Sequence, residues 1–127
     1  DVDHFKRLND TLGHMTGDRI LRGIATVLGT STRASDLAFR YGGDEFTVLM
    51  PHTDRSGAEM AAAQIRANLA RMPAGALGLN AGAETGRPDV SIGIASYREG
   101  DDEVSLLTRA DRMLYEAKAG GRGRACA

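Results

Sequence analysis

Cysteine, net charge and long apolar runs are what this chain has least of. Its 127 residues carry one cysteine, a formal charge of -1 and three prolines. Each scarcity excludes a class of protein. Cys126 alone cannot close an internal disulfide, so a disulfide scaffold is ruled out and a reducing, cytoplasmic setting is expected. With 16 Lys+Arg against 17 Asp+Glu, there is no basic excess of the kind nucleic-acid binders show, and no nucleic-acid partner is expected. No apolar stretch reaches the length of a bilayer span and no signal peptide is visible, so no membrane contact by this domain is expected. Neither GxxxxGK[ST] nor a GxGxxG following a strand occurs, which removes two common phosphate-binding folds. His4 and His52 have no partners at zinc-ligand spacing. There is no internal repeat and no low-complexity linker.

What is there suits one globular domain spanning residues 1–127, long enough to bury a core. Residues 1–18 are polar, with Phe5, Leu8 and Leu12 at helical spacing, so a short helix is expected from about His4 to Leu12, ending at Gly13. Asp18 is placed to cap a second helix, whose apolar face is Ile20, Leu21, Ile24, Val27 and Leu28. Ser31 to Asp36 connects to two short apolar runs, Leu37–Tyr41 and Phe46–Met50, which read as a β-hairpin closed by Pro51. Ala58, Ala61, Ala62, Ile65, Leu69 and Met72 give a third helical stripe over Ser56–Met72. Residues 73–88, with Pro73, Gly75, Gly78, Gly82, Gly86 and Pro88, read as a loop with a short strand near Ala76–Asn80. Val90, Ile92 and Ile94 alternate with small residues as in a strand. A last helix spans Glu103–Lys118, with Leu106, Leu107, Ala110, Met113, Leu114 and Ala117 inward. The alternation predicts an α/β fold: a mixed central β-sheet flanked by helices on both faces.

One stretch conflicts with its surroundings. Arg40-Tyr41-Gly42-Gly43-Asp44-Glu45-Phe46 places a Gly-Gly pair, suited to the positive φ of a two-residue hairpin turn, beside two carboxylates that form strands poorly. Glycines also let a bulky ligand approach the backbone. A divalent cation or a polar substrate at the hairpin tip would account for the conflict.

At these residues the chain resembles the GGDEF domain, the catalytic module of diguanylate cyclases. Asp1-Val2-Asp3-His4-Phe5-Lys6 with Asn9-Asp10, Gly13-His14 and Gly17-Asp18 is similar to that family's metal- and guanine-binding segment. Arg33-Ala34-Ser35-Asp36 matches its upstream RxxD motif. Ser91–Ala95, Ala110-Asp111 through Lys118, and Gly121-Arg122 match later landmarks. Several ordered motifs together are far more specific than any one. The resemblance implies a nucleotidyl-cyclase or polymerase-palm-like fold. It also implies a strand leading into Asp1 and another after Arg122, so the sequence reads as cropped at both ends.

The same resemblance implies roles. Asp1, the Val2 carbonyl, Asp44 and Glu45 would hold Mg²⁺ or Mn²⁺, two ions per half-site, in keeping with hard oxygen donors. His4, Phe5 and Lys6 would face the β- and γ-phosphates of GTP through backbone N–H groups and the lysine, joined by Lys118 and Arg122. Asn9 and Asp18 would read the guanine edge beside Gly42 and Gly43. His14 either lines that pocket or bonds structurally. Glu45 is the candidate general base, with Asp44 its rival. Arg33 and Asp36 would form an inhibitory site for the product, cyclic di-GMP; read without the family they are a surface ion pair of little value. The implied reaction condenses two GTP into cyclic di-GMP and two pyrophosphates across a transient homodimer of such domains, governed by an upstream sensor or receiver domain. The alternative is a non-catalytic module of the same fold that binds GTP or cyclic di-GMP. A purine cyclase making a 3′,5′-cyclic mononucleotide fits Asn9, Asp18 and the RxxD run less well.

Overall fold

The structure, a computed structural model, describes residues 1–80 and 86–127. Gly82, one of the expected loop glycines, lies outside the described residues. The helices are α1 (Phe5–Leu12), α2 (His14–Ser31), α3 (Arg55–Arg71) and α4 (Glu103–Ala119), and the strands are β1 (Leu37–Arg40), β2 (Phe46–Leu49), β3 (Ile92–Gly93) and β4 (Ala125–Cys126). The expected α/β class holds, with the sheet in two short pieces. β1 and β2 pair antiparallel with Leu37 opposite Leu49 and Arg40 opposite Phe46. β3 and β4 pair parallel. Residues 1–3 run between the two pieces: Val2 bridges Val90 antiparallel, and its N–H donates to the Asp44 carbonyl at 3.1 Å. A strand therefore does follow Arg122.

The core is built on α2. Ile20, Leu21, Ile24, Val27 and Leu28 are all buried and cluster with Val2, Ile65, Leu69, Leu77, Leu79 and Val90. Each such side chain contributes about 1.5–3 kcal/mol on burial. On α3 the face is Ala62, Ile65 and Leu69, and the helix starts at Asp54, whose carboxylate accepts from Gly57 N–H at 2.8 Å. On α4 only Ala117 is fully buried; the leucines of its inward stripe are half-buried. Its start is fixed by a reciprocal cap, Asp102 with Ser105. Arg109 grips Asp101 with two nitrogens, bolting the preceding loop to the helix. That guanidinium, first among several hydrogen bonds, holds the Asp101 carboxyl well below the usual carboxylate range. Among the described residues no helix is long and apolar enough to cross a membrane.

Three expectations are corrected. Asp18 does not cap α2; the helix already starts at His14, and Gly13 at φ 83° both ends α1 and precedes α2. Ala76–Asn80 is not a strand, because Ala74–Leu77 forms a 3₁₀ turn after Pro73. Leu77 and Leu79 are both buried, so the period-two pattern is real, but the Leu79 N–H is spent on Ala74 O at 2.9 Å. Finally, the hairpin loop is not a two-residue Gly-Gly turn. Tyr41 N–H donates to Glu45 O at 2.9 Å, so Gly42, Gly43 and Asp44 form the loop, and neither glycine has a positive φ.

Close packing of α4 on β3 requires glycine at position 93. A Cβ there would stand 2.1 Å from Ala110 O and 2.4 Å from Leu114 N, both backbone atoms that cannot step aside. Gly93→Ala is expected to lower stability by about 2–3 kcal/mol, the upper end for overpacking. Gly29→Ala, on an open stretch of α2 where a Cβ meets nothing within 4 Å, should instead raise it by about 0.5–1 kcal/mol. Urea denaturation of both variants checks the contrast.

Candidate functional site

The site is assembled around residues 1–3. In an extended segment side chains alternate, so burying Val2, at 1% exposure, sends Asp1 and Asp3 together to the other face. Asp1 meets Lys118 of α4, Nζ to Oδ1 at 2.9 Å. Asp3 is buried and accepts from Ser91 Oγ at 2.8 and 3.0 Å and from Gly123 N–H at 2.9 Å. Arg122 Nε stands 3.9 Å from Asp3. Asp1 and Asp3 thus face Lys118 and Arg122 as two neighbouring pairs of opposite charge.

The hairpin tip is tied to this segment by the Val2–Asp44 bond. Asp44 is half-buried and Glu45 exposed. The Glu45 side chain folds back over Gly42, where a Cβ would come 2.8 Å from its Oε2. Gly43 stands open, with nothing within 4 Å of a Cβ. Arg40 braces the loop, its Nε donating to the Gly42 and Gly43 carbonyls at 3.1 Å. At the start of α1, His4 takes a left-handed φ of 57°. The expectation that the N–H groups of residues 4 to 6 are all free is corrected at Phe5, which donates to Val2 O at 3.3 Å. Lys6 is exposed.

Asn9 packs against Gly17, the residue before Asp18. Asn9 Oδ1 is buried without a hydrogen-bond partner among the described residues, and a Cβ on Gly17 would overlap it at 1.8 Å. Glycine at 17 thus makes room for the Asn9 amide beside Asp18. Asp18 lines a groove of about 370 Å³ between α2 and the hairpin, with Arg22, Phe39, Arg40 and Phe46 among its walls. His14 is the exposed first residue of α2. Arg33 and Asp36 lie apart from these, beyond the far end of α2; the thirteen helical steps from Asp18 to Ser31 alone span about 20 Å at 1.5 Å rise. They form no side-chain ion pair. Asp36 is buried and its Oδ2 accepts from the Arg33 backbone N–H at 2.8 Å, closing the turn on itself.

Sequence reasoning gave no role to Asp3, Arg22 or Arg40. The only local signal for Asp3 is its alternation with Asp1 around a buried valine. Among the described residues no three of His, Cys, Asp and Glu gather at metal-ligating spacing. Asp1, Val2 and Asp44 are neighbours through the Val2–Asp44 backbone hydrogen bond and offer hard oxygen donors. Asp1 already holds a cation, the Lys118 ammonium. That set fits Mg²⁺ or Mn²⁺, which bind one or two carboxylates and complete their shell with substrate phosphate and water.

Fold and site together define a nucleotidyl-cyclase-like α/β domain. The chain belongs to the GGDEF family: the family described as "Diguanylate cyclase, GGDEF domain" matches residues 1–124. It is 44% identical over 123 residues to the response regulator PleD of Caulobacter vibrioides, covering 96% of this chain and 26% of PleD. It is 40% identical over 124 residues to the diguanylate cyclase VdcA of Vibrio cholerae, covering 98% of this chain and 36% of VdcA. The chain thus spans about a quarter to a third of these relatives. Among solved structures it is similar to the GGDEF domain of DgcB from Caulobacter crescentus in complex with c-di-GMP. That match has a TM-score of 0.87 at 37% identity and covers 100% of this chain and 73% of that one.

The seating of Asn9 against Gly17 is testable without any ligand. Gly17→Ala should cost about 1–3 kcal/mol through overpacking, and the cost should largely vanish in an Asn9→Ala background. Asn9→Ala alone should not lower stability, since it removes an unpartnered buried acceptor. Thermal unfolding of the two single variants and the double variant completes the cycle.

Proposed function

We propose that this domain is a diguanylate cyclase that condenses two GTP into cyclic di-GMP, releasing two pyrophosphates. The observation that carries the reading is the Val2–Asp44 backbone hydrogen bond of 3.1 Å, which sets the acidic hairpin tip against Asp1 and the cations beside it. Diguanylate cyclases among the relatives support it.

Asp1, Asp44 and the Val2 carbonyl, with Glu45 beside them, would hold Mg²⁺ or Mn²⁺, two ions per half-site. Bound there, the ions would supply charge neutralisation at the phosphates and help the 3′-hydroxyl lose its proton. The remaining work falls to the chain. Lys118, Arg122 and Lys6, with the N–H groups of His4 and Lys6, orient the β- and γ-phosphates at the start of α1. Asn9 and Asp18 take the guanine edge, Asp18 as a carboxylate accepting from its N–H groups, with His14 at the margin. Gly42 and Gly43 let the nucleotide approach the hairpin backbone. Glu45 receives the proton of the 3′-hydroxyl as that oxygen attacks the α-phosphorus of a second GTP. Asp44 is the alternative acceptor. Because each domain presents one GTP, two domains must face each other about a two-fold axis, and catalysis is chiefly positioning.

Product inhibition belongs to the same proposal: Arg33 meets a guanine or phosphate of cyclic di-GMP, and Asp36 takes a guanine edge. So does control by a sensor or receiver domain outside these residues, in the cytoplasm where GTP is supplied.

Incubating the purified domain with GTP and Mg²⁺ across a range of protein concentrations tests the reading. Cyclic di-GMP should form with a steeper-than-linear dependence on protein. Asp44→Ala should reduce it about 10²–10³-fold, the range for one charge-stabilising group, with stability unchanged. GTP binding without product would instead support the non-catalytic module. Arg33→Ala should keep synthesis but raise the product concentration for half-inhibition about tenfold or more, as expected for a lost charged hydrogen bond. Unchanged inhibition would remove Arg33 from the product site.

A further inference from the structure

We propose that Asp3 is a positioning residue: its buried carboxylate holds the left-handed turn that presents Arg122 to the phosphates, without itself touching nucleotide. The inference rests on the reading of Arg122 as a phosphate contact.

Gly121, Arg122 and Gly123 have φ of 110°, 63° and 53°. Three successive residues in this region do not persist on their own, least of all with an arginine in the middle. The turn must be held from outside, and Asp3 supplies the hold. It is 7% exposed, and its Oδ2 accepts the Gly123 N–H at 2.9 Å while Ser91 Oγ donates to both its oxygens. Arg122 Nε, at 3.9 Å, is drawn to the same charge. The remaining restraints agree. Arg122 N–H donates to Ala117 O at 3.0 Å, which ties the turn to the end of α4 carrying Lys118. A Cβ on Gly123 would stand 2.5 Å from Asp89 Oδ2, whose carboxylate is itself clamped by Arg66 at 2.9 Å.

A buried carboxylate is costly unless fully bonded, and these bonds all go to the turn and to Ser91. Both of its oxygens face Ser91, and Oδ2 also takes the Gly123 N–H. Its charge is therefore spent on geometry. The two aspartates on one face divide the labour: Asp1 pairs the lysine of α4, and Asp3 sets the arginine one turn later.

The test is Asp3→Asn, which keeps the shape and removes the charge. Wild type, Asp3→Asn, Arg122→Ala and the double variant are compared for binding of GTP and of GMP, alongside hydrogen exchange at the Gly123 amide. Asp3→Asn is expected to weaken GTP about tenfold while leaving GMP unchanged, and the double variant should bind GTP no worse than Arg122→Ala alone. In Asp3→Ala, which removes the acceptor that Asn would keep, the Gly123 amide should exchange at least about tenfold faster, as for a lost hydrogen bond in a locally held turn. Equal losses for GTP and GMP, additivity with Arg122→Ala, or an unchanged Gly123 amide would each overturn the proposal. If Asp3→Asn fails to fold, Ser91→Ala, which frees the carboxylate but keeps its charge, should show the same GTP-selective loss to a smaller degree. A wild-type chain that binds no GTP would sink the functional reading and the role of Arg122, while Gly123 exchange would still report whether Asp3 holds the turn.

Discussion

Three backbone hydrogen bonds made by residues 1–3 hold this domain together. Val2 N–H reaches Asp44 O, Asp3 N–H reaches Asp89 O, and Asp1 O receives Ser91 N–H, at 3.1, 2.9 and 3.0 Å. Without them there are two separate two-stranded sheets, each marginal by itself. With them, the hairpin, the 89–91 segment and the turn after α4 become one frame. Because the joining segment alternates Asp-Val-Asp, the same bonds that bury Val2 also fix where two carboxylates point. Structure and chemistry share a cause here: the valine cannot be buried without aiming the aspartates.

Electrostatically the site is an arrangement of paired opposites. Asp1 faces Lys118, Asp3 faces Arg122, and Asp89 faces Arg66. These three carboxylates are each paired with a cation, while Asp44 and Glu45 beside them form no ion pair among the described residues. Away from this cluster α2 carries the core, and the Arg33–Asp36 turn lies beyond its end. Asp36 closes that turn on the Arg33 backbone, while the Arg33 side chain is exposed.

Much of this was legible in the sequence. The stripe from Ile20 to Leu28 specified α2 because five apolar side chains at helical spacing have only one way to be buried together. The strands flanking the Gly-Gly pair were legible as short apolar and aromatic runs, although β1 is exposed along its length. The helix starts were less so: Gly13 serves two helices, which made Asp18 look like a cap when it lies inside α2. Leu77 and Leu79 carried a strand pattern but, among the described residues, pair with no strand, and Pro73 favoured a tight turn. That Gly17 seats the Asn9 amide was not foreseen. Asp3 was missed because its partners, Ser91 and Gly123, are 88 and 120 residues away. No local pattern encodes contacts of that range.

The Lys118–Asp1 pair has a further consequence. If both groups serve a nucleotide, neither does so from rest: the ammonium leaves a carboxylate for a phosphate, and the carboxylate leaves an ammonium for a metal. Loading is then an exchange of partners rather than the filling of an exposed charge. Its net free energy is a difference between two comparable pairings, smaller than either alone.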